Sequence, residues 1–159
     1  MTDDRPPEGF TRLRLRPAGF IDVNGPLYGQ MVGGRFALGL RVRDQHCNAA
    51  GVCHGGMLAT FADMLLAMGS NLQAELSSFL LTVSLTCDFL GTVPAGAWLE
   101  GHVDVLRITR TLVFSQGLVT FSERPAARVS GILKRPNHPD PVFGADRFFA
   151  VREPRCDAQ

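Results

Sequence analysis

An excess of charge of either sign is missing from this chain. Sixteen Lys and Arg stand against fifteen Asp and Glu, a formal net charge of +1, and only 19% of the 159 residues are charged. That balance excludes the electrostatic footprint of a nucleic-acid or membrane-surface binder. No apolar run lasts long enough to cross a bilayer, because Asp63 interrupts the one long candidate. No basic and apolar leader opens the chain either; Met1 to Gly9 is polar and contains prolines, so the expected location is the cytoplasm. Neither GxxxxGKS nor GxGxxG occurs, which removes the usual phosphate-binding loops. Repeats and low-complexity tracts are also lacking. What remains, at 45% hydrophobic content, is an ordinary globular composition of single-domain length.

Cysteine is sparse: Cys47, Cys53, Cys87 and Cys156. Their spacing fits neither a disulfide framework nor a CxxC redox pair. His46-Cys47 and Cys53-His54 do bring two Cys and two His close in sequence. Zinc sites, however, want ligand pairs two to four residues apart and separated by a longer loop. Adjacent pairs around so short a loop strain tetrahedral geometry, so the cysteines read as reduced, small and apolar. No metal or organic cofactor is called for.

Read in order, the chain begins with an arm. Arg12 to Arg16 alternates R-L-R-L-R, which suits a short edge strand or a partly ordered segment. Phe20 to Gly29 carries turn signals at Asn24-Gly25-Pro26 and Gly29, and reads as a loop or short helix. Arg35 to Val42 alternates Phe36, Leu38, Leu40 and Val42, a first strand. After a loop, Gly55-Gly56 open a helix running to about Glu75. Its apolar residues lie on all sides, so it should be buried and wrapped by other elements. Four strands follow. Phe79 to Leu90 alternates Leu81, Val83, Leu85, Cys87 and Phe89, and Trp98 to Leu106, Thr111 to Phe121 and Ala126 to Lys134 complete the set. Breaks fall at Pro94-Ala95-Gly96, Arg107 to Arg110 and Glu123-Arg124-Pro125. Connections this short favour antiparallel pairing of successive strands. The expected class is α+β, a curled antiparallel sheet around one long buried helix. The single domain has a core at about 27–135, an N-terminal arm at 1–26 and a C-terminal extension at 136–159 that docks through residues such as Val142, Phe143, Phe148, Phe149 and Val151.

The chemistry concentrates between Asn48 and Gln73. Unpaired N–H groups and partial positive charge at a helix start favour an anion or oxyanion, and glycines let a ligand oxygen approach. Gly55-Gly56 fit that use, although the pair also suits a tight turn. Asp63 has Ala59, Thr60, Leu66 and Ala67 as its helical neighbours, so no basic residue on this helix can pair with it. An unpaired buried carboxylate is costly. Either another element satisfies it, or it lies on a locally exposed face, or it serves as a base or nucleophile, which is the preferred reading. His54 hydrogen-bonds a carbonyl at the helix entrance or orients groups in a site, and Asn48 can be a turn former. Eight residues separate Gly55 from Asp63, about 12 Å along a helix. A carbonyl polarised at Gly55 is therefore out of reach of the same helix's Asp63. If both act on one carbon, the carboxylate belongs to a two-fold-related chain, and the site implies a dimer.

Asn48, Gly51, His54, Gly55, Gly56 and Asp63 form the pattern N-x-x-G-x-x-H-G-G-(x)6-D. It resembles that of the hotdog-fold acyl-CoA thioesterases of the phenylacetic-acid-pathway type, in the 4-hydroxybenzoyl-CoA thioesterase superfamily. Thr82 to Leu90 (T-V-S-L-T-C-D-F-L) is similar to that family's second strand, and the likeness covers about Gly25 to Arg135. It implies a hotdog fold, hydrolysis of an acyl-CoA thioester, and a homodimer or a tetramer built as a dimer of dimers. It also implies residue roles: the Gly55 N–H polarises the carbonyl, Asn48 holds water or substrate, and His54 supports the loop or contacts the thioester. Asp63 of the partner chain is then base or nucleophile, and Thr82 orients the water or the carboxylate. CoA enters only as part of the substrate. The chain departs from the family at Gly91-Thr92, Gly96-Ala97 and Thr109-Arg110. Arg110 keeps a basic residue for the pantetheine or phosphate end, with Gly56, Arg107 and Arg128 as further substrate contacts and Lys134 a weaker one. Phe20, Leu27, Tyr28, Met57, Phe61 and Met64 are candidates for an acyl pocket. A non-catalytic acyl-CoA-binding or sensing module is the alternative, and a hotdog hydratase would want its Asp and His differently placed.

Overall fold

The computed structural model describes residues 5–15 and 19–149. The chain runs β1 (Thr11–Arg12), α1 (Gly19–Asn24), β2 (Leu27–Val32), β3 (Arg35–Arg41), α2 (Gly55–Gln73), β4 (Leu81–Phe89), β5 (Trp98–Ile108), β6 (Leu112–Phe121), β7 (Arg124–Lys134) and α3 (Ala145–Phe148). Every strand pairing is antiparallel, in one seven-stranded sheet of order β1-β2-β3-β5-β6-β7-β4. The sheet curls around α2. Among the described residues no helix is long and apolar enough to cross a membrane.

Several expectations from the sequence need correcting. The short helix expected within Phe20 to Gly29 is α1, but Leu27 to Gly29 of that stretch already belong to β2, a strand the sequence did not announce. It forms a hairpin with β3 through Gly33-Gly34, whose φ of 57° and 76° suit glycine. The turn before β7 is Ser122-Glu123, both at positive φ, so Arg124 and Pro125 belong to the strand and face Phe121 and Thr120. β5 runs on to Ile108, past the expected break. α2 stops at Gln73, short of Glu75, whose φ is +50°. β4 does not neighbour β5; it pairs with β7 and forms an edge. The 90–97 connection is held elsewhere: Leu90 N–H donates to the Ala126 carbonyl, and Cys53 N–H to the Val93 carbonyl at 2.7 Å. Those bonds carry the chain from the edge back to the middle of the sheet. The arm does supply an edge strand at Thr11–Arg12, while Arg16 lies outside the described residues.

α2 settles into the sheet because the sheet is thin beneath it. A Cβ at Gly101 of β5 would stand 2.6 Å from Leu65 Cδ2 and 3.0 Å from Phe61 Cε1, so only glycine admits the helix at this depth. Phe61, Leu65, Leu66 and Leu58 are buried there against Phe36, Leu38, Leu99 and Val119. Polar ties fix the helix register. Ser70 Oγ and Ser115 Oγ are 2.6 Å apart, and Gln73 accepts from Phe36 N–H while donating to the Val103 carbonyl. The helix is not enclosed on all sides, however. Its stripe of Thr60, Asp63, Met64, Ala67 and Met68 is only half-buried, because the sheet covers one side of the helix alone. Beyond β7 the chain returns across the C-terminal half of α2. Asn71 Nδ2 donates to the Phe143 carbonyl at 2.7 Å, Asp140 N–H to the Ser77 carbonyl at 2.6 Å, and Phe148 is buried. Phe143 and Phe149 dock against the core as expected, Val142 is only half-buried, and Val151 lies outside the described residues.

Candidate active site

The entrance to α2 is built from backbone bonds. His54 is extended, its N–H donates to the His46 carbonyl at 2.8 Å, and its Nδ1 accepts from the Gly56 N–H at 2.8 Å. His54 is therefore the helix cap, supplying the acceptor that the first turn needs. It accepts from an amide where a bond to a carbonyl was expected. This also commits the Gly56 N–H internally, so Gly56 offers a substrate no amide. Among the described residues nothing accepts from the Gly55 N–H. The free donor is at Gly55.

The loop feeding this cap is itself fixed. Cys47 and Cys53 face each other across a short antiparallel pairing, and Asn48 Oδ1 accepts from the Ala50 N–H at 2.9 Å. Asn48 thus makes a turn, as its simpler reading has it. Buried His46 accepts at Nδ1 from the Arg43 N–H. Burial, with the nearby Arg43 charge, holds its pKa below the usual value. Burial, with Cys47 beside it, pushes the Cys53 thiol up to about 11, which suits an inert reduced cysteine. The Cys47 and Cys53 sulfurs contact different carbonyls, those of Arg43 and His54. Among the described residues no group of three metal-ligating side chains occurs.

Asp63 does not lie fully buried and unsatisfied, as a helix apolar all round would have it. It is half-buried on the open stripe, and Thr82 Oγ1 donates to its Oδ1 at 2.6 Å. A distortion in β4 brings Thr82 there. Thr82 pairs with Leu133 and Ser84 with Ile132, so Val83 is an extra residue, a β-bulge. Strict alternation would send Leu81, Val83, Leu85 and Cys87 inward and Thr82 outward. The bulge resets the parity: Thr82 turns toward α2, while Val83 is 61% exposed. The alternation in sequence carries no sign of it.

Gly55 and Asp63 meet opposite ends of the same strand. A Cβ on Gly55 would touch the Phe89 ring at 3.5 Å, whereas Asp63 bonds Thr82. In one protomer they do not converge. Of the basic candidates, Arg128 is spent on Asp88, with Nε at 2.9 Å and Nη2 at 2.7 Å. Arg107 and Arg110 are exposed at the end of the sheet where β4 begins. Lys134 is exposed opposite Leu81. Of the acyl-pocket candidates, Leu27, Met57 and Phe61 belong to the core and Phe20 is exposed. Tyr28 points to the outer face against Trp98, as alternation after the inward Leu27 demands. Met64 alone of the six lines the cavity beside Asp63.

The comparisons with known proteins agree on one family. Residues 50–123 match the sequence pattern described as Thioesterase superfamily. A Pseudomonas aeruginosa protein named as an inferred esterase is 34% identical over 131 residues, covering 82% of this chain and 97% of that protein. The chain belongs to the thioesterase superfamily. A mutant form of the phenylacetic acid degradation protein PaaI of Thermus thermophilus superimposes with a TM-score of 0.64 at 23% identity, covering 75% of this chain and 100% of the other. A hypothetical thioesterase of Streptococcus pneumoniae, solved with coenzyme A, gives 0.62 at 19%, covering 72% and 91%. At those identities the likeness concerns the fold, which is the hotdog fold. Membership in the thioesterase superfamily carries hydrolysis of thioesters as the general chemistry.

Proposed function

We propose that this protein hydrolyses acyl-CoA thioesters at a site shared by two copies of the chain. The observation that carries the reading is the Thr82–Asp63 pair: a carboxylate with one oxygen held, no cation bonded to it among the described residues, and a cavity in front of it. The carbonyl oxygen of the thioester rests on the Gly55 N–H of one protomer. Asp63 of the other acts either by taking a proton from a water that attacks the carbonyl carbon, or by attacking that carbon itself. In the first course the tetrahedral oxyanion forms at Gly55, the C–S bond breaks, and the leaving thiolate takes the proton back from Asp63. In the second, the C–S bond breaks as Asp63 forms a mixed anhydride with the acyl group, and water then hydrolyses that anhydride, releasing the acid, restoring the carboxylate and supplying the proton for the thiolate. Asn48 and His54 keep the loop in shape, and Arg107 and Arg110 are available to the phosphates of CoA.

The sheet edge supports the shared site. β4 is unpaired on one side and carries exposed Leu81, Val83, Phe89 and Leu90, an edge that invites pairing with a second copy. An antiparallel partner centred between Leu85 and Thr86 sets residue 82 of one chain opposite residue 89 of the other. Since Asp63 sits at Thr82 and Gly55 at Phe89, such pairing brings the two half-sites together, consistent with a dimer or a dimer of dimers. The test is Asp63→Asn against a panel of acyl-CoAs, followed by release of free thiol. Turnover should fall by at least a hundredfold with binding retained. A folded variant with wild-type turnover refutes the mechanism, and a wild-type protein that binds acyl-CoA without cleaving it refutes the enzyme.

A further inference from the structure

Beside Asp63 lies a cavity of about 900 Å³. Its floor is the open stripe of α2: Asp63, Met64, Ala67, Met68 and Asn71. One wall is the run from Ser78 to Thr82. The opposite wall comes from outside the likeness described above: Val142, Phe143 and Phe148 of the C-terminal segment, with Leu15 of the arm.

That wall is held in place. The Phe143 carbonyl accepts from Asn71, the Phe143 ring packs at a tilt against Phe79 with centroids 5.2 Å apart, and the Arg14 N–H donates to the Phe148 carbonyl at 3.1 Å. Apart from Asp63, the only charged residues around the cavity among the described residues are the exposed Arg14 and Arg147. A largely apolar pocket of this size suits an apolar ligand.

We propose that the C-terminal segment and the arm form the specificity wall of a pocket for a straight, medium-length apolar acyl chain. This rests on the thioesterase reading, because what fixes the occupant is continuity with Asp63. A chain bonded to a carbonyl at that carboxylate has the stripe from Met64 to Asn71 as its apolar course. Eight residues of helix give about 12 Å. At bond lengths near 1.5 Å an extended carbon chain covers that in roughly nine bonds, a decanoyl group. Methionines at two of the floor positions suit a flexible chain better than a rigid ring.

The experiment measures hydrolysis of straight-chain acyl-CoAs from butyryl to palmitoyl. In the wild type kcat/KM should rise about fourfold per methylene, the equivalent of ~0.8 kcal/mol per buried CH₂, and level off near decanoyl. Ala67→Phe puts a ring across the floor and should lower the decanoyl-to-butyryl ratio at least tenfold. Phe143→Ala, which opens the far wall, should move the plateau to longer chains. Unchanged length profiles in both folded variants overturn the proposal. Calorimetric titration with decanoate separates this from failure of the catalytic reading. If no acyl-CoA is cleaved, one decanoate bound per protomer and lost in Ala67→Phe still supports the pocket. Normal hydrolysis without decanoate binding overturns the pocket and leaves the thioesterase standing.

Discussion

Thr82→Val removes one hydroxyl and keeps the shape of the side chain. In the folded protein that hydroxyl has one partner, Asp63 Oδ1 at 2.6 Å, within the range of short O–H···O⁻ bonds. Hydrogen bonds to charged groups contribute about 1.5–3 kcal/mol. Thr82 is exposed in the single protomer, so the lower figure applies unless a second copy covers the site. If the bond holds Asp63 in its attacking position throughout the reaction, its loss appears in kcat. At 1.36 kcal/mol per tenfold, the expected drop is about tenfold to a hundredfold. KM should stay within about twofold, because Thr82 orients the carboxylate and does not hold the acyl chain. Thr82→Ser restores the hydroxyl and should recover most of kcat. The assay is steady-state thiol release with decanoyl-CoA, with circular dichroism to confirm folding. Wild-type kcat in folded Thr82→Val, or an equal loss in the Val and Ser variants, refutes the orienting role.

Val83→Lys places a charge on the bulge at the sheet edge. The side chain is already 61% exposed, so the protomer should fold normally while light scattering shows a shift toward monomer, with activity lost in parallel; an active monomer contradicts the shared site. Gly101→Ala forces a methyl to within 2.6 Å of Leu65 Cδ2. Overpacking of this kind costs about 1–3 kcal/mol and should lower the melting temperature by several degrees; an unchanged melting point means that the helix can shift freely. His46 is the third case. Its folded pKa lies below that of the unfolded chain because burial disfavours the charged ring, so the unfolded state binds more protons as pH falls below about 6.5. The stability it contributes is complete above that pH and is lost as pH drops toward the folded value. Urea unfolding at pH 7.5 and 5.5 should show a steeper loss for the wild type than for His46→Gln, and equal slopes exclude His46 as the source.

The long helix and the strands after it were legible because their apolar periodicity is strong: Phe61, Leu65 and Leu72 recur at helical spacing, and Leu99 and Val103 share one strand face. The pairing of the strands was not legible, since periodicity says which face a residue takes and nothing about its neighbour. β4 could join the edge only because loop bonds at Cys53 and Leu90 return the chain to the interior. β2 was missed because Gly25-Pro26 and Gly29 read as turns, although Gly33-Gly34 between apolar flanks is itself a hairpin signal. At the site the same split applies. The pattern from Asn48 to Asp63 identified the helix start and its carboxylate, but not that His54 would commit the Gly56 amide and leave Gly55 alone as donor.

The bulge at Val83 shows why a site can escape a sequence whose fold does not. A strand that alternated faithfully from Leu81 to Phe89 would cover more apolar surface and would turn Thr82 away from α2. The observed strand gives up one inward position, exposes a valine, and gains a hydroxyl on Asp63. The exposed valine is a loss only for an isolated protomer. On an edge that a second copy covers, the same residue becomes interface, so in the proposed dimer the distortion that orients the carboxylate and the surface that completes the site have one origin in β4. In that arrangement the pairing of the two chains and the aim of Thr82 stand or fall together. A substitution that straightens β4 should disturb both.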